Sequence, residues 1–177
     1  MKKISFALLL SALSIFAAPA SAQTAAYPNQ TIKVIIGFAA GGPTDVIGRI
    51  LAQHMTGTLG QSVVIENRTG ANSLIGTREV AKAKPDGYTL LLASLSHNVN
   101  PLLLKEKAEY EPLGNFAPVS LVANLPLVVV TAYDAPYNSL ADLIAKAKSA
   151  PETLSYGSAG NGGSAHLAGA LMSTVAG

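Results

Sequence analysis

One arrangement constrains this chain more than any other: between residues 31 and 93, short apolar runs alternate with helically spaced segments, beginning and ending on a run. Thr31–Phe38 is β-branched and mostly apolar, as expected of a strand buried on both faces. From Thr44, the residues Val46, Ile47, Ile50, Leu51 and Met55 recur at helical spacing until Gly60 closes the segment. Val63–Glu66 reads as a second strand and Leu74 to Ala83 as a helix with a mixed face. Tyr88–Ala93 is a third strand, entered through the Asp86-Gly87 turn. Consecutive βαβ units pack as a parallel sheet with right-handed crossovers, so an α/β, doubly wound lobe is predicted.

The rest is less regular. Asn98 to Pro118 carries Pro101, Pro112 and Gly114 and predicts no long element. Val119–Ala123 and Leu127–Thr131 read as two strands separated by Asn124-Leu125-Pro126, because proline cannot donate to a ladder. That break is the expected lobe boundary, giving a first lobe over 23–126 and a second over 127–177. Ser139-Leu-Ala-Asp142 resembles a capping box and predicts a helix to about Lys148. Ser155–Gly157 reads as a short strand and Ser164 to Val175 as a helix. Two strands and two helices are too few layers to bury their own faces, so the second lobe is expected to be incomplete.

The first 22 residues read as an address. Met1-Lys2-Lys3 is basic and Ile4 to Ala18 is uncharged and apolar, shorter than the roughly 20 residues of a membrane span. Pro19 and Ala20-Ser21-Ala22 then supply a cleavage pattern, predicting export to the periplasm with cleavage after Ala22. The whole chain has 12 Lys+Arg against 10 Asp+Glu, and the two leader lysines account for the difference. No cationic cluster remains to neutralise phosphates, so a nucleic-acid partner is not expected. The absence of cysteine excludes disulfides, thiol nucleophiles and cysteine metal sites.

Two segments share one design: Phe38-Ala-Ala-Gly-Gly-Pro-Thr-Asp45 and Ser158-Ala-Gly-Asn-Gly-Gly-Ser-Ala-His166. Each joins an expected strand to a helix through glycines and places a hydroxyl residue, Thr44 or Ser164, where the helix starts. The first N–H groups of a helix lack internal partners and carry about half a positive charge, so such a turn attracts anions without a cationic side chain. Neither segment contains Lys or Arg, and Arg49 lies a turn further on. That favours a carboxylate over a phosphate. The alternative is a pair of ordinary βα turns capped by Thr44 and Ser164.

Other motifs are weaker. The first turn lacks the Lys-Ser/Thr of a Walker A loop, and Tyr156-x-Ser158-x-Gly160 lacks the first glycine of a nucleophile elbow. Gly160-x-Gly162-x-x-Ala165 formally matches a dinucleotide fingerprint, which keeps a nucleotide-dependent enzyme open as a rival reading. His54, His97 and His166 show no metal-ligand spacing, and no general acid/base pair is evident. His54 fits a partly exposed helix face, and His97 a loop in which ligand contact and solvent exposure fit equally well. A fragment that neither folds nor binds is the third reading.

Taken in order, several stretches together resemble the Bug family, the TctC-like substrate-binding proteins of tripartite tricarboxylate transporters. They are Tyr27-Pro28, Gly37 through Asp45, Val64-Ile-Glu-Asn-Arg68, Pro85-Asp-Gly-Tyr-Thr-Leu90, Asn100-Pro101, Phe116-Ala-Pro-Val119, Tyr156 through Gly162, and Ser164-x-His166-Leu167. The resemblance implies a two-lobe fold of the type II periplasmic-binding-protein kind. It implies a binding protein, not an enzyme, that needs no cofactor and acts as a monomer beside the transporter's membrane subunits. The implied ligand is a small carboxylate: a di- or tricarboxylate, an amino acid or an aromatic acid. Phe38, Ala39, Gly41, Gly42, Thr44 and Asp45 would grip one end. Ser158, Gly160, Asn161, Ser164 and His166 would grip the other, with Ser94 lining the cleft from the Ser94–Asn98 loop. Thr69 stands where the family usually has proline, and Asn72-Ser73 replace its commoner glycines. The chain resembles about the first half of a family member.

Overall fold

The computed structural model describes residues 26–158 and 160–176. The expected signal peptide, residues 1–22, lies outside them. The elements are β1 (Ile32–Ile36), α1 (Pro43–Leu59), β2 (Val63–Asn67), α2 (Leu74–Ala81), β3 (Thr89–Leu91), α3 (Ser96–Leu104), a 3-10 turn over Lys105–Ala108, α4 (Leu140–Ser149) and α5 (Ser164–Ala176).

The sheet has the order β2-β1-β3 and is parallel throughout, with Ile32 opposite Val63 and Lys33 opposite Thr89. The chain therefore steps one way from β1 to β2 and the other way from β2 to β3. Right-handed crossovers then put α1 and α2 on opposite faces. Two helical glycines record that packing. A Cβ on Gly48 of α1 would stand 2.7 Å from Ile36 Cδ1, whereas one on Gly76 of α2 would stand 3.2 Å from Ile35 Cγ2. Ile35 and Ile36 are successive residues pointing to opposite faces, and both are fully buried. Each contributes about 1.5–3 kcal/mol by leaving water.

A satellite core of Leu74, Ala108 and Tyr110 lies under α2, with Ala81 and Phe116 packed against it. It rests on α3, a helix the prolines of the middle region had not suggested. Pro101 lies inside α3 and removes the N–H that would reach the carbonyl of His97. The Tyr110 hydroxyl donates to that carbonyl instead, at 2.7 Å. Arg78 donates to the carbonyls of Lys107 and Ala108, holding the end of the 3-10 turn against α2.

Three expected strands do not form. Val119–Ala123, Leu127–Thr131 and Ser155–Gly157 run without a ladder, and Val119, Val128 and Val130 are 79–86% exposed. A strand exists by exchanging backbone hydrogen bonds with a neighbour, and no neighbour lies beside these segments among the described residues. The helix over Ser139–Asp142 forms as the capping pattern predicts: Ser139 Oγ accepts from Asp142 N at 3.1 Å. Neither α4 nor α5 contains a buried residue.

Candidate functional site

Because α1 and α2 leave the sheet toward opposite faces, the topological switch point of the sheet lies at the carboxyl ends of β1 and β3. Open parallel sheets bind ligands at such switch points. The β1–α1 turn, residues 37–45, and the segment from Ser94 after β3 border that point.

The β1–α1 turn is built around one carboxylate. Asp45 is 2% exposed and accepts from Gly41 N (2.9 Å), Arg49 Nε (2.8 Å), Arg49 Nη2 (3.0 Å) and Asn67 Nδ2 (3.0 Å). The Arg49 side chain, then the Gly41 amide and the Asn67 amide, hold its pKa well below the usual carboxylate range. Asn67 Nδ2 also donates to Phe38 O at 3.0 Å, tying the start of the turn to the end of β2. Asp45 thus spends its lone pairs inside the turn, and Arg49 spends its charge on Asp45.

What remains for a ligand is backbone. Gly42 is the N-cap of α1, and no side chain caps the helix. Pro43 occupies its first turn, so Thr44 lies inside the helix and is not the cap. Ala39 and Gly41 are exposed, and a Cβ on Gly41, at φ +82°, would meet nothing within 4 Å. The amides of Thr44 and Asp45 are the first of α1, where helical geometry supplies no acceptor.

The second turn is likewise open. Ser158, Gly160 and Asn161 are exposed, and a Cβ on Gly160, at φ +134°, would also meet nothing within 4 Å. Leu167 N donates to Gly163 O at 3.0 Å, so the first helical bond of α5 starts from Gly163, and Ser164 follows the cap without being it. His166 is half-buried, and its Nδ1 accepts from Gly162 N at 3.2 Å. In the neutral ring this places the proton on Nε2, as a donor. Tyr156 lies across Gly169 and donates to His166 O at 3.1 Å. The dinucleotide fingerprint requires a strand before its first glycine, and residues 155–158 are in no ladder.

Between the two turns lie residues 70–73, which the sequence marks only as a departure from the family's glycines. Gly70, Ala71, Asn72 and Ser73 all have positive φ (130°, 46°, 54° and 72°), a left-handed turn between β2 and α2. Ser73 is buried against Gly37, where a Cβ would stand 2.6 Å from Ser73 Cα. On the other side, a Cβ on Gly162 would stand 3.0 Å from Asn72 Nδ2. Ser94 is half-buried with its Oγ 3.1 Å from that of Ser96, itself buried. The replacement of glycines by Asn72-Ser73 was the available signal, since glycine preferences mark positive φ. His97, expected in a loop, lies in α3, with Nε2 hydrogen-bonded to Pro112 O at 3.1 Å and its ring stacked on Tyr110. Two shallow hollows, about 240 and 490 Å³, lie by Tyr137 and by Tyr110, and neither is lined by either glycine turn.

The family model described as the tripartite tricarboxylate transporter family receptor matches residues 47–177. The chain belongs to that receptor family. It is 42% identical over 166 residues to Protein BugT of Bordetella pertussis, covering 90% of this chain and 50% of BugT. Among solved structures, the periplasmic binding protein BugD shares 35% identity with a TM-score of 0.68, over 85% of this chain and 50% of that one. R. palustris Rpa4515, solved with adipate, shares 33% identity with a TM-score of 0.75, over 84% and 50%. The receptor chain therefore spans about half the length of the relatives it matches, among them the periplasmic binding protein BugD.

Proposed function

We propose that this receptor chain takes part in capturing a small dicarboxylate in the periplasm for a tripartite tricarboxylate transporter. The observation that carries the reading is the β1–α1 turn. It presents the helix N-terminal amides of Thr44 and Asp45 at the switch point of the sheet, while Arg49, a turn further along α1, is paired with Asp45. Amide dipoles without a free cation suit a carboxylate, which carries less charge than a phosphate. The adipate bound to the similar Rpa4515 supports a ligand with a carboxylate at each end. In this reading the free amides of Thr44 and Asp45, at the start of α1, hold one end beside the exposed Gly41-Gly42 backbone, with the Asp45 carboxylate fixing the turn from behind through Gly41 N. Ser158, Asn161, Ser164 and His166 Nε2–H meet the other end, and Ser94 borders the path between them.

Calorimetric titration of the chain with adipate, malate and citrate tests this, with acetate as the one-ended control. A dicarboxylate is expected to bind and acetate to bind far more weakly. A cooperatively melting sample that takes up none of the three polyacids overturns the reading.

A further inference from the structure

We propose that Asn72 is a positioning residue that seats the second glycine turn against the first lobe, and so sets the affinity for a ligand that must reach both turns. This rests on the dicarboxylate reading above. Asn72 is anchored twice by one partner. Its carbonyl accepts from Asn100 Nδ2 at 3.0 Å, and its own Nδ2 donates to Asn100 Oδ1 at 3.3 Å. Asn100 is 3% exposed, so the anchor belongs to the folded interior of α3.

From that anchor the Asn72 amide faces the second turn. A Cβ on Gly162 would lie 3.0 Å from Asn72 Nδ2 and 3.3 Å from Leu103 Cδ1, and one on Gly163 would lie 3.8 Å from Asn72 Oδ1. Gly162 is itself buried, with φ +74°, and its amide holds His166 Nδ1. A continuous set of contacts therefore runs from buried Asn100 through Asn72 to Gly162 and on to the imidazole expected to meet the ligand. The backbone at Asn72 has φ +54°, which asparagine tolerates better than most side chains. Glycine would suit that backbone at least as well and remove the amide from under Gly162, leaving Leu103 there. Packing against the turn, not backbone geometry, is what this side chain adds.

The test compares Asn72→Gly with the unaltered chain by two readouts. Amide hydrogen exchange across residues 160–164 is expected to quicken, with only a modest fall in melting temperature, because Asn100 Oδ1 loses one donor while the backbone stays unstrained. Adipate affinity is expected to fall about threefold to tenfold, the scale of one net hydrogen bond, while acetate binding changes less than about twofold. Asn72→Asp keeps the volume but loses the Nδ2 donor, and faster exchange is expected there too. Unchanged exchange at 160–164 in both variants overturns the proposal, as does unchanged adipate affinity in Asn72→Gly. If the unaltered chain takes up no dicarboxylate, the parent reading fails, and the exchange measurement still decides whether Asn72 seats the turn.

Discussion

Two runs of nearly the same chemistry end in different states. Ile32-Lys-Val-Ile-Ile36 is the central strand of a parallel sheet, with its four apolar residues at most 4% exposed. Leu127-Val-Val-Val-Thr131 is equally rich in β-branched residues, four of five in each run, yet it pairs with nothing among the described residues and leaves Val128 79% and Val130 81% exposed. The difference is not propensity. The first run has β2 on one side, β3 on the other and a helix on each face. The second has none of these among the described residues. Strand preference records how well a side chain suits a pleated, half-buried surface, and it acts only where such a surface is supplied.

The largest expected effect tests the buried half of this contrast. Ile35→Ala removes a fully buried side chain in contact distance of the position of Gly76, and is expected to cost about 3–4 kcal/mol. Denaturant melts followed by circular dichroism measure it. A loss under about 1 kcal/mol would show that the three-stranded sheet is not the cooperative core.

The same contrast explains what could be read from residues alone. β1, β2, β3 and their helices were legible because each pattern answers to neighbours close in sequence. The periodicity of Val46 to Met55 and the glycine after it fix α1 almost unaided. α3 was hidden by Pro101, since the Tyr110 hydroxyl that satisfies the freed His97 carbonyl lies nine residues further on. The glycine turns were visible, but the wiring behind them was not. Asp45 looked like a ligand contact because its place near a helix start suits one; only the fold brings Asn67 and Arg49 onto its oxygens. Asn72 was noticed as a departure from glycine, and its contact with Gly162 spans ninety residues of chain.

An intermediate effect is expected at the joint between sheet and turn. The folded state holds Asp45 ionised well below its ordinary value near pH 3.9, so its contribution is complete above that value and is lost as pH falls toward the depressed one. Melting temperature should therefore drop steeply below about pH 4. Asp45→Asn is expected to melt lower than the unaltered chain at neutral pH, because Arg49 and Gly41 lose a charged acceptor, and to show a shallower acid limb. Thermal melts from pH 2.5 to 7 check both. Parallel acid limbs in the two proteins would mean that another carboxylate, such as Glu66 with its Lys33 partner, dominates the response.

The smallest expected effect is the sharpest test of the comparison. Val130→Thr replaces one β-branched residue by another of similar shape in the unpaired run, so strand preference barely changes and only burial is probed. With Val130 81% exposed there is almost no apolar area to lose, and the change should stay within about 0.5 kcal/mol. Valine to threonine inside a paired, covered strand buries a hydroxyl and costs about 1–3 kcal/mol where that group finds no partner. The same substitution at Val34, 4% exposed in β1, supplies that reference within one molecule. Equal losses at the two sites would mean that residues 127–131 do find a neighbour in solution, and that the two runs differ in partner and not in state.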